Sequence, residues 1–459
     1  MNLNQPARPA LGTRLPCYVF DNARRLARYV AGIVASVIRE RNALGQSAVL
    51  GLPTGSTPVS VYRELIRMHR EEGLDFSRTI TFNLDEYYGV APDQLQSYHR
   101  WMHDNFFNHI NLPADQIHIP DGTVAPEAVE RHCRDYEDRI RRAGGIDVLL
   151  LGIGGNGHIG FNEPFSVRNS RTRLCTLDPV SRRAVASDFF GEENVPTQAI
   201  TMGLGTILEA RKVLLLALGD HKSKIIREMA EEPVSNRVPA SSLQEHPDAT
   251  VLVDVAAAGR LTSQSTPWVL GTVAWTETLI KRAVLWLAER TGKALLKLTD
   301  DDFREHNLHQ LLRHHGPAQE VAHRVFRLMM ETIEYHPGGR ERKKVICFSP
   351  HPDDDVISMG GTLIRLVEDG HEAHIAYMTS GNIAVFDHDA WRFVDFVDGF
   401  NRCFGIDEAK TAGVRDRVKR FLDGKKTGSS DSEDLLHINI FNKEIVRAVV
   451  DSFLSLSFG

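Results

Sequence analysis

The sequence predicts an α/β fold: an open, mostly parallel sheet flanked by helices, with a second, smaller and incomplete α/β domain behind it. Three observations predict it. Short apolar runs at residues 48–52, 79–84, 148–151 and 213–218 have the length of fully buried strands. Each run empties into a loop rich in glycine or polar side chains, and amphipathic helical patterns lie between the runs. A fifth run, residues 344–349, repeats the strand, polar loop and helix arrangement far downstream.

In chain order, residues 22–40 place Leu26, Val30, Ile33, Val34 and Ile38 at helical spacing with arginines opposite, the pattern of a helix that covers a sheet. The run 48–52 passes through Pro53-Thr54-Gly55-Ser56-Thr57-Pro58 into a helix over 59–69. Thr57 is expected as the N-cap and Pro58 as the first helical residue. Free amide groups at such a helix start, and the positive end of its dipole, suit an anion. The run 79–84 ends in Asp85-Glu86, two carboxylates that are costly at a buried strand end unless solvated, paired or used. Residues 97–110 form an aromatic-rich helix with Trp101, Phe106 and Phe107, a core element or a movable lid.

Residues 147–164, DVLLLGIGGNGHIGFNEP, organise the rest. A buried strand opens there into a loop whose glycines allow close backbone approach and whose Asn156, His158, Asn162 and Glu163 can bond hydrogen or move protons. The run 213–218 then leads through Gly219 to Lys222 at the start of another helix. Open α/β sheets bind ligands beyond the carboxyl ends of their strands. The expectation is therefore one site built from Asp85, His158, Glu163, Lys222 and the Ser56-Thr57 loop.

Residues 264–340 read as helical connecting structure: a helix around 277–289, an acidic turn at Asp300-Asp301-Asp302, a solvated histidine-rich face, a helix over 319–333, and a linker at Pro337-Gly338-Gly339. The second domain opens with Pro350-His351-Pro352-Asp353-Asp354-Asp355, then Gly360-Gly361-Thr362 and a helix. One imidazole and three carboxylates suit a cation such as zinc; an Asp-rich capping turn is the other reading. A polar tract at 425–434 and a helix-like run with Ile445, Val449 and Phe453 close the sequence.

Composition sets bounds on function. The 459 residues imply about two or three domains, here 1–263, 264–340 and 341–459. A hydrophobic fraction of 42% with 25% charged residues is that of a globular protein. A net charge of −6 argues against nucleic acid as a partner but not against a small anion in a locally positive pocket. No apolar run approaches the roughly 20 residues of a membrane span, and residues 2–16 lack a secretory pattern, so a cytoplasmic location is expected. Five scattered cysteines without CxxC spacing read as reduced thiols.

The motifs GLPTGSTP, FNLDEYYG, SYHRWMHDNFFNHI, GIGGNGHIGFNEP, SRTR and PTQAITMGLGTIL together resemble glucosamine-6-phosphate deaminase, of the sugar isomerase-like α/β superfamily, over the first 260 or so residues. The resemblance implies an aldose–ketose isomerase/deaminase that converts glucosamine 6-phosphate to fructose 6-phosphate and ammonia without a cofactor. It implies Asp85 as the base for the C1–C2 proton transfer, His158 as the ring-opening acid/base, Glu163 and Asn156 as groups that orient His158, and Gly55, Ser56, Thr57 and Lys222 as phosphate-binding positions. Two departures stand out. Asp188 precedes Phe189-Phe190 where the family has a phosphate-clamping arginine, so that Arg182 or Arg183 would have to substitute. Cys175 stands where allosteric members carry a lysine, so activation by an acetylated sugar phosphate is not expected.

Residues 344–383 are similar to the opening of the LmbE/PIG-L family of zinc-dependent N-deacetylases. That implies zinc on His351 and Asp354 with Asp353 as general base. The family's third ligand is a histidine well over a hundred residues further on, and His437 does not resemble its setting, so an incomplete domain is expected. The rival readings are a sugar-phosphate-binding inactive paralogue, an amino-sugar N-deacetylase acting through the second domain, and a lactonase of the same superfamily. The expected partner is a small amino-sugar phosphate, with no membrane, and the exposed edge of a short second domain would be covered by the first domain or by a second copy in a homo-oligomer.

Overall fold

The computed structural model describes residues 8–330, 342–350 and 354–377, with Asp395, Phe396, Gly399, Arg402 and Asp416 beyond them. The chain divides into two units, Met1–Val325 and Phe326–Gly459. The strands of the first unit are β1 (Arg8–Pro9), β2 (Cys17–Phe20), β3 (Ala48–Leu52), β4 (Thr79–Asn83), β5 (Asp85–Tyr87), β6 (Ile117–His118), β7 (Val148–Leu151), β8 (Arg173–Thr176), β9 (Gln198–Thr201), β10 (Lys212–Ala217) and β11 (Ala249–Asp254). Its longer helices are α1 (Ala23–Ala43), α2 (Val59–Glu72), α3 (Tyr98–Asn105) and α4 (Val129–Arg142). After them come α5 (Pro179–Ala184), α6 (Leu204–Leu208) and α7 (Ser223–Glu231), then α8 (Thr262–Ser265), α9 (Glu277–Thr291), α10 (Asp300–Glu305), α11 (His309–His315) and α12 (Ala318–Met330).

Eight strands form one sheet in the order β1-β2-β11-β10-β7-β3-β4-β6. Every pairing in it is parallel except β1 with β2. Alternation along the strands sorts the core into two layers. Val49, Leu149, Leu151, Val213 and Leu215 face α4 and α7, whereas Leu50, Leu52, Val148, Leu150 and Leu214 face α1 and α2. The expected parallel sheet between helices is thus present, and the predicted helix over 22–40 is α1, capped by Asn22 and burying Leu26, Val30, Val34 and Ile38.

The winding direction reverses between β3 and β7. From β3 the chain moves outward to β4 and β6, then returns to β7 and moves the other way to β10 and β11. Four consecutive sheet neighbours, β10, β7, β3 and β4, therefore end side by side, at about 4.8 Å per strand spacing, and their loops border the crevice that such a reversal opens. Asp147 pins the start of β7. Its buried carboxylate accepts from the Val49 amide at 2.9 Å and from Arg211 at 2.9 Å, and it pairs with Arg41 at the end of α1.

Several local expectations are corrected. Helix α2 begins at Val59, with Pro58 as its cap residue: the amides of Val61 and Tyr62 both reach the Pro58 carbonyl, so Ser56, Thr57 and Pro58 form a turn and the Thr57 hydroxyl does not cap the helix. Residues after Asn83 do not enter a plain loop, because Asp85–Tyr87 pairs with β9 in a separate antiparallel sheet, β5-β9-β8. Asp300-Asp301-Asp302 is helical, since Thr299 and Asp302 make a reciprocal capping box and three carboxylates favour the positive end of α10. For the aromatic segment 97–110 the core reading, the one its helical spacing favours, holds: Met102, Phe106 and Phe107 are buried against α2 and the sheet.

The second unit carries β12 (Lys344–Ser349), α13 (Asp354–Glu368) and β13 (Glu372–Tyr377), with β12 and β13 parallel. Helix α13 starts at Asp354 and runs through Gly360 and Gly361 instead of following them. Each glycine costs only about 1 kcal/mol in a helix, and Met359, Leu363, Leu366 and Glu368 around them are strong helix formers. The linker at 337–339, His351, Asp353, the tract 425–434, His437 and the run around Ile445 lie outside the described residues. Cys17, Cys133, Cys175 and Cys347 are free thiols. Among the described residues no helix is long and apolar enough to cross a membrane.

Replacing Asp147 with alanine leaves the Val49 amide without its acceptor and unties α1 from β7. The expected cost is about 2 kcal/mol, read as a lower urea midpoint; a midpoint equal to the parent's would show that these bonds do not hold the sheet.

Candidate active site

Beyond β7 the chain makes a tight loop, with the Gly154 amide bonded to the His158 carbonyl and the Gly157 amide to the Gly154 carbonyl. The imidazole of His158 folds back over Gly154 so closely that a Cβ there would stand 2.2 Å from the ring. Glycine is required at 154 for the histidine to occupy this position. Gly157, at φ +88°, makes room for Ile225 of α7 and for Val238. Gly160, at φ +55°, lies against a different strand: a Cβ there would be 3.0 Å from Thr201 Oγ1 and 3.4 Å from Asp85 Oδ2. The Phe161 amide donates to Thr201 Oγ1, and Thr201 pairs with Asp85 across β9 and β5. These contacts bring Asp85 to the loop that carries His158.

His158 is held by its inner nitrogen. Nδ1 lies 2.7 Å from Asn156 Oδ1, 3.1 Å from Ser181 Oγ and 3.3 Å from Glu163 Oε2. Asn156 Nδ2 donates to Glu163 Oε2 at 2.8 Å, which fixes the amide with its oxygen toward the ring. Nδ1 therefore carries the proton, and Nε2 is the nitrogen free to exchange one with a substrate. Burial pushes the Glu163 carboxyl up, but hydrogen bonds from His158, Ser181 and Asn156 and the charge of the imidazole outweigh it and bring the group to about 2. Glu163 is a permanent anion behind the histidine.

The two adjacent carboxylates after β4 differ sharply. Glu86 is 2% exposed and accepts from the amides of Tyr87, Tyr98 and His99 and from the Ser97 hydroxyl, so it caps α3. Asp85 is 7% exposed, and no hydrogen bond to its carboxylate is made among the described residues. Burial, with a smaller push from the charge of Glu86, raises it to about 8. A carboxyl so placed is poised as a base near neutral pH. Tyr98 joins this strand to the loop after β3: its hydroxyl meets that of Tyr87 at 3.1 Å and also bonds the Thr54 side chain.

Gly55 takes φ +100°, and Ser56 is exposed with Thr57 half-buried beside it. Lys222 caps α7 at the end of the β10 loop, half-buried, and burial lowers its pKa. Among the described residues no carboxylate pairs with it. A desolvated ammonium of this kind suits an anionic ligand. No contact links Lys222 directly to Ser56 or Thr57 among the described residues; β7 stands between their two strands. Asp188 is exposed, its carbonyl accepting from Gln96, and Arg183 is exposed as well. Arg182 is committed to the carbonyls of Glu192 and Val195, at 2.8 and 3.3 Å, so it does not replace the missing arginine. Sequence reasoning missed Ser181, in a segment with no motif, and Thr201, which lies within PTQAITMGLGTIL but was not singled out in it.

In the second unit Asp354 opens α13, while His351 and Asp353 lie outside the described residues. No group of three His, Cys, Asp or Glu side chains stands close enough for a metal ion among the described residues.

A doubly wound sheet with a histidine and a buried carboxyl beyond its strand ends is a candidate acid–base site of the α/β class. The chain belongs to the family of glucosamine-6-phosphate isomerases and 6-phosphogluconolactonases, whose model matches residues 21–252. A second model, that of the GlcNAc-PI de-N-acetylases, matches residues 346–415. The chain is 44% identical over 440 residues to a glucosamine-6-phosphate deaminase-like protein of Bacteroides thetaiotaomicron, covering 93% of this chain and 66% of that relative. It thus spans just under two thirds of that relative's length. Glucosamine-6-phosphate deaminase 2 of Bacillus subtilis is 50% identical over 233 residues, 50% of this chain and 93% of its own. A solved monomeric glucosamine-6-phosphate deaminase superposes with a TM-score of 0.51 at 42% identity, covering 53% of this chain and 99% of the other.

The raised Asp85 makes stability depend on pH. Unfolded, Asp85 titrates near ~3.9; folded, it holds its proton to about 8. The folded state therefore binds more protons between these values, and its stability falls as pH rises through that window. Asp85→Asn removes this loss, so its melting temperature should gain on the parent's from pH 5 to pH 8; parallel curves would contradict the assigned burial.

Proposed function

We propose that this protein is a glucosamine-6-phosphate deaminase, converting glucosamine 6-phosphate and water to fructose 6-phosphate and ammonia. One observation supports the reading: a Cβ at Gly160, two residues from His158, would lie 3.4 Å from Asp85 Oδ2, so the carboxyl borders the loop that carries the imidazole. The deaminase relatives support it.

His158, protonated at both nitrogens, gives the Nε2 proton to the ring oxygen and opens the pyranose. Asn156 and Glu163 hold Nδ1–H meanwhile, so the neutral ring left behind keeps one tautomer. Asp85, as carboxylate, takes the proton from C2 and delivers it to C1 through an enolamine. Water then replaces nitrogen at C2 as ammonia leaves. The substrate's own ammonium at C2, next to Asp85, favours the carboxylate over the acid. Binding thereby prepares the base it needs. Lys222 beyond β10 and Gly55, Ser56 and Thr57 beyond β3 hold the phosphate from either side of β7. Each step is a proton transfer or an addition of water, so the reaction uses no cofactor and none of its steps passes through a metal.

Asp85→Asn should lower ammonia release by ~10²–10⁴-fold while glucosamine 6-phosphate still binds by calorimetry. Near-parental turnover would remove Asp85 from the chemistry, and binding without turnover in the parent would mark a sensor. In the parent, kcat/KM should climb with pH from 6 toward about 8, because the free enzyme's Asp85 must lose its proton to act. A profile already flat from pH 6 would count against this base.

A further inference from the structure

We propose that Ser181 is a positioning residue for His158, tying the imidazole and the Glu163 carboxylate to the short helix α5. The inference rests on the acid–base role given to His158 above.

Three oxygens surround His158 Nδ1. Two, from Asn156 and Glu163, belong to the loop that also carries the histidine; the third, Ser181 Oγ at 3.1 Å, comes from a separate element. Ser181 is the one buried residue of α5, at 6% exposure. A helix that covers a core normally buries an apolar side chain. Here it buries a hydroxyl, and that hydroxyl faces an imidazole. The start of α5 is seated on the same carboxylate: the Asp178 amide donates to Glu163 Oε1 at 3.3 Å, and the Asp178 side chain caps the helix through the Val180 amide.

The hydroxyl can serve both neighbours at once. With the proton on Nδ1, Ser181 Oγ accepts from the ring and its O–H donates to Glu163, one of the bonds that hold that carboxylate ionised. The outcome is a ring whose plane and tautomer are set from two directions, by its own loop and by α5. Nε2 is thereby kept facing the pocket before and after it gives up a proton. No other side chain of α5 could do this, since Val180, Arg183 and Ala184 are exposed and Arg182 bonds the backbone of residues 192 and 195.

The test compares Ser181→Ala, Ser181→Thr and Ser181→Cys in the full chain. Alanine should lower kcat about tenfold, the effect of one hydrogen bond to a charged group, with KM changed by less than about twofold. Threonine, which keeps the hydroxyl, should restore most of the rate. Cysteine keeps the side chain's size and loses most of its hydrogen bonding, so it should fall with alanine even where alanine perturbs folding. Independently of turnover, the ¹⁵N resonances of His158, assigned by their disappearance in His158→Gln, should show the Nδ1–H tautomer giving way to a mixture in the alanine and cysteine variants. That readout needs no substrate, so it survives a failure of the deaminase assignment. An unchanged tautomer in both variants, or cysteine matching the parent in kcat, would overturn the role given to Ser181.

Discussion

The Asp85 carboxylate and the His158 imidazole, from different strands, both pack against the loop beyond β7 because that loop carries no side chains at Gly154 and Gly160. At Gly154 the imidazole occupies the space of a missing Cβ, whereas at Gly160 a Cβ would press on Thr201 Oγ1 at 3.0 Å and just touch Asp85 Oδ2 at 3.4 Å. Any larger residue at 154 would push the imidazole outward. The parallel sheet brings the strand ends into line, but β3 lies between β4 and β7, so about 10 Å separates the ends that carry Asp85 and His158. The glycine loop narrows that distance by letting main chain and side chain pack closely. The loop is in turn fixed from below, since Asp147 holds the start of β7 between β3 and α1.

The site sorts its three acids by environment more than by residue type. Glu86 is deeply buried, and burial raises its carboxyl although three amides and a hydroxyl that bond it to the start of α3 offset part of that rise. Glu163 is half-buried and saturated with donors, so it remains ionised well into acid. Asp85 is buried with no such donors, and its proton affinity rises to near neutrality. One carboxylate bonds the start of a helix, one bonds the imidazole's surroundings, and one is left with a raised proton affinity. Desolvation without compensation is what sets the third apart. The half-buried Lys222, with no carboxylate paired to it among the described residues, is its cationic counterpart.

The second unit repeats the elementary strand, helix and parallel strand arrangement on a smaller scale. Its described portion leaves Ile346, Phe348, Val356, Ile357 and Ile364 exposed. That is far from the first unit, where residues of the same kind line two closed core layers.

Much of this was legible in the sequence. Apolar runs of strand length, the spacing of Leu26, Val30, Val34 and Ile38, and glycines directly after a buried run are local signals, because strand burial and helix faces follow from the order of a few neighbouring residues. They sufficed for the parallel sheet, for α1 and for the strand ends that carry Asp85, His158 and Lys222. Other features had no local signature. That Asp85–Tyr87 joins a second sheet with β9, that Glu86 and not Asp85 caps α3, that Arg182 is bound to backbone carbonyls, and that Ser181 reaches His158 all depend on segments distant in the chain. Each is a choice among partners with similar chemistry, and only the packed chain decides which of them is near. The residue types available to the site were thus set by the sequence alone; the protonation state of each acid, and the orientation of the one imidazole between them, were decided by tertiary burial.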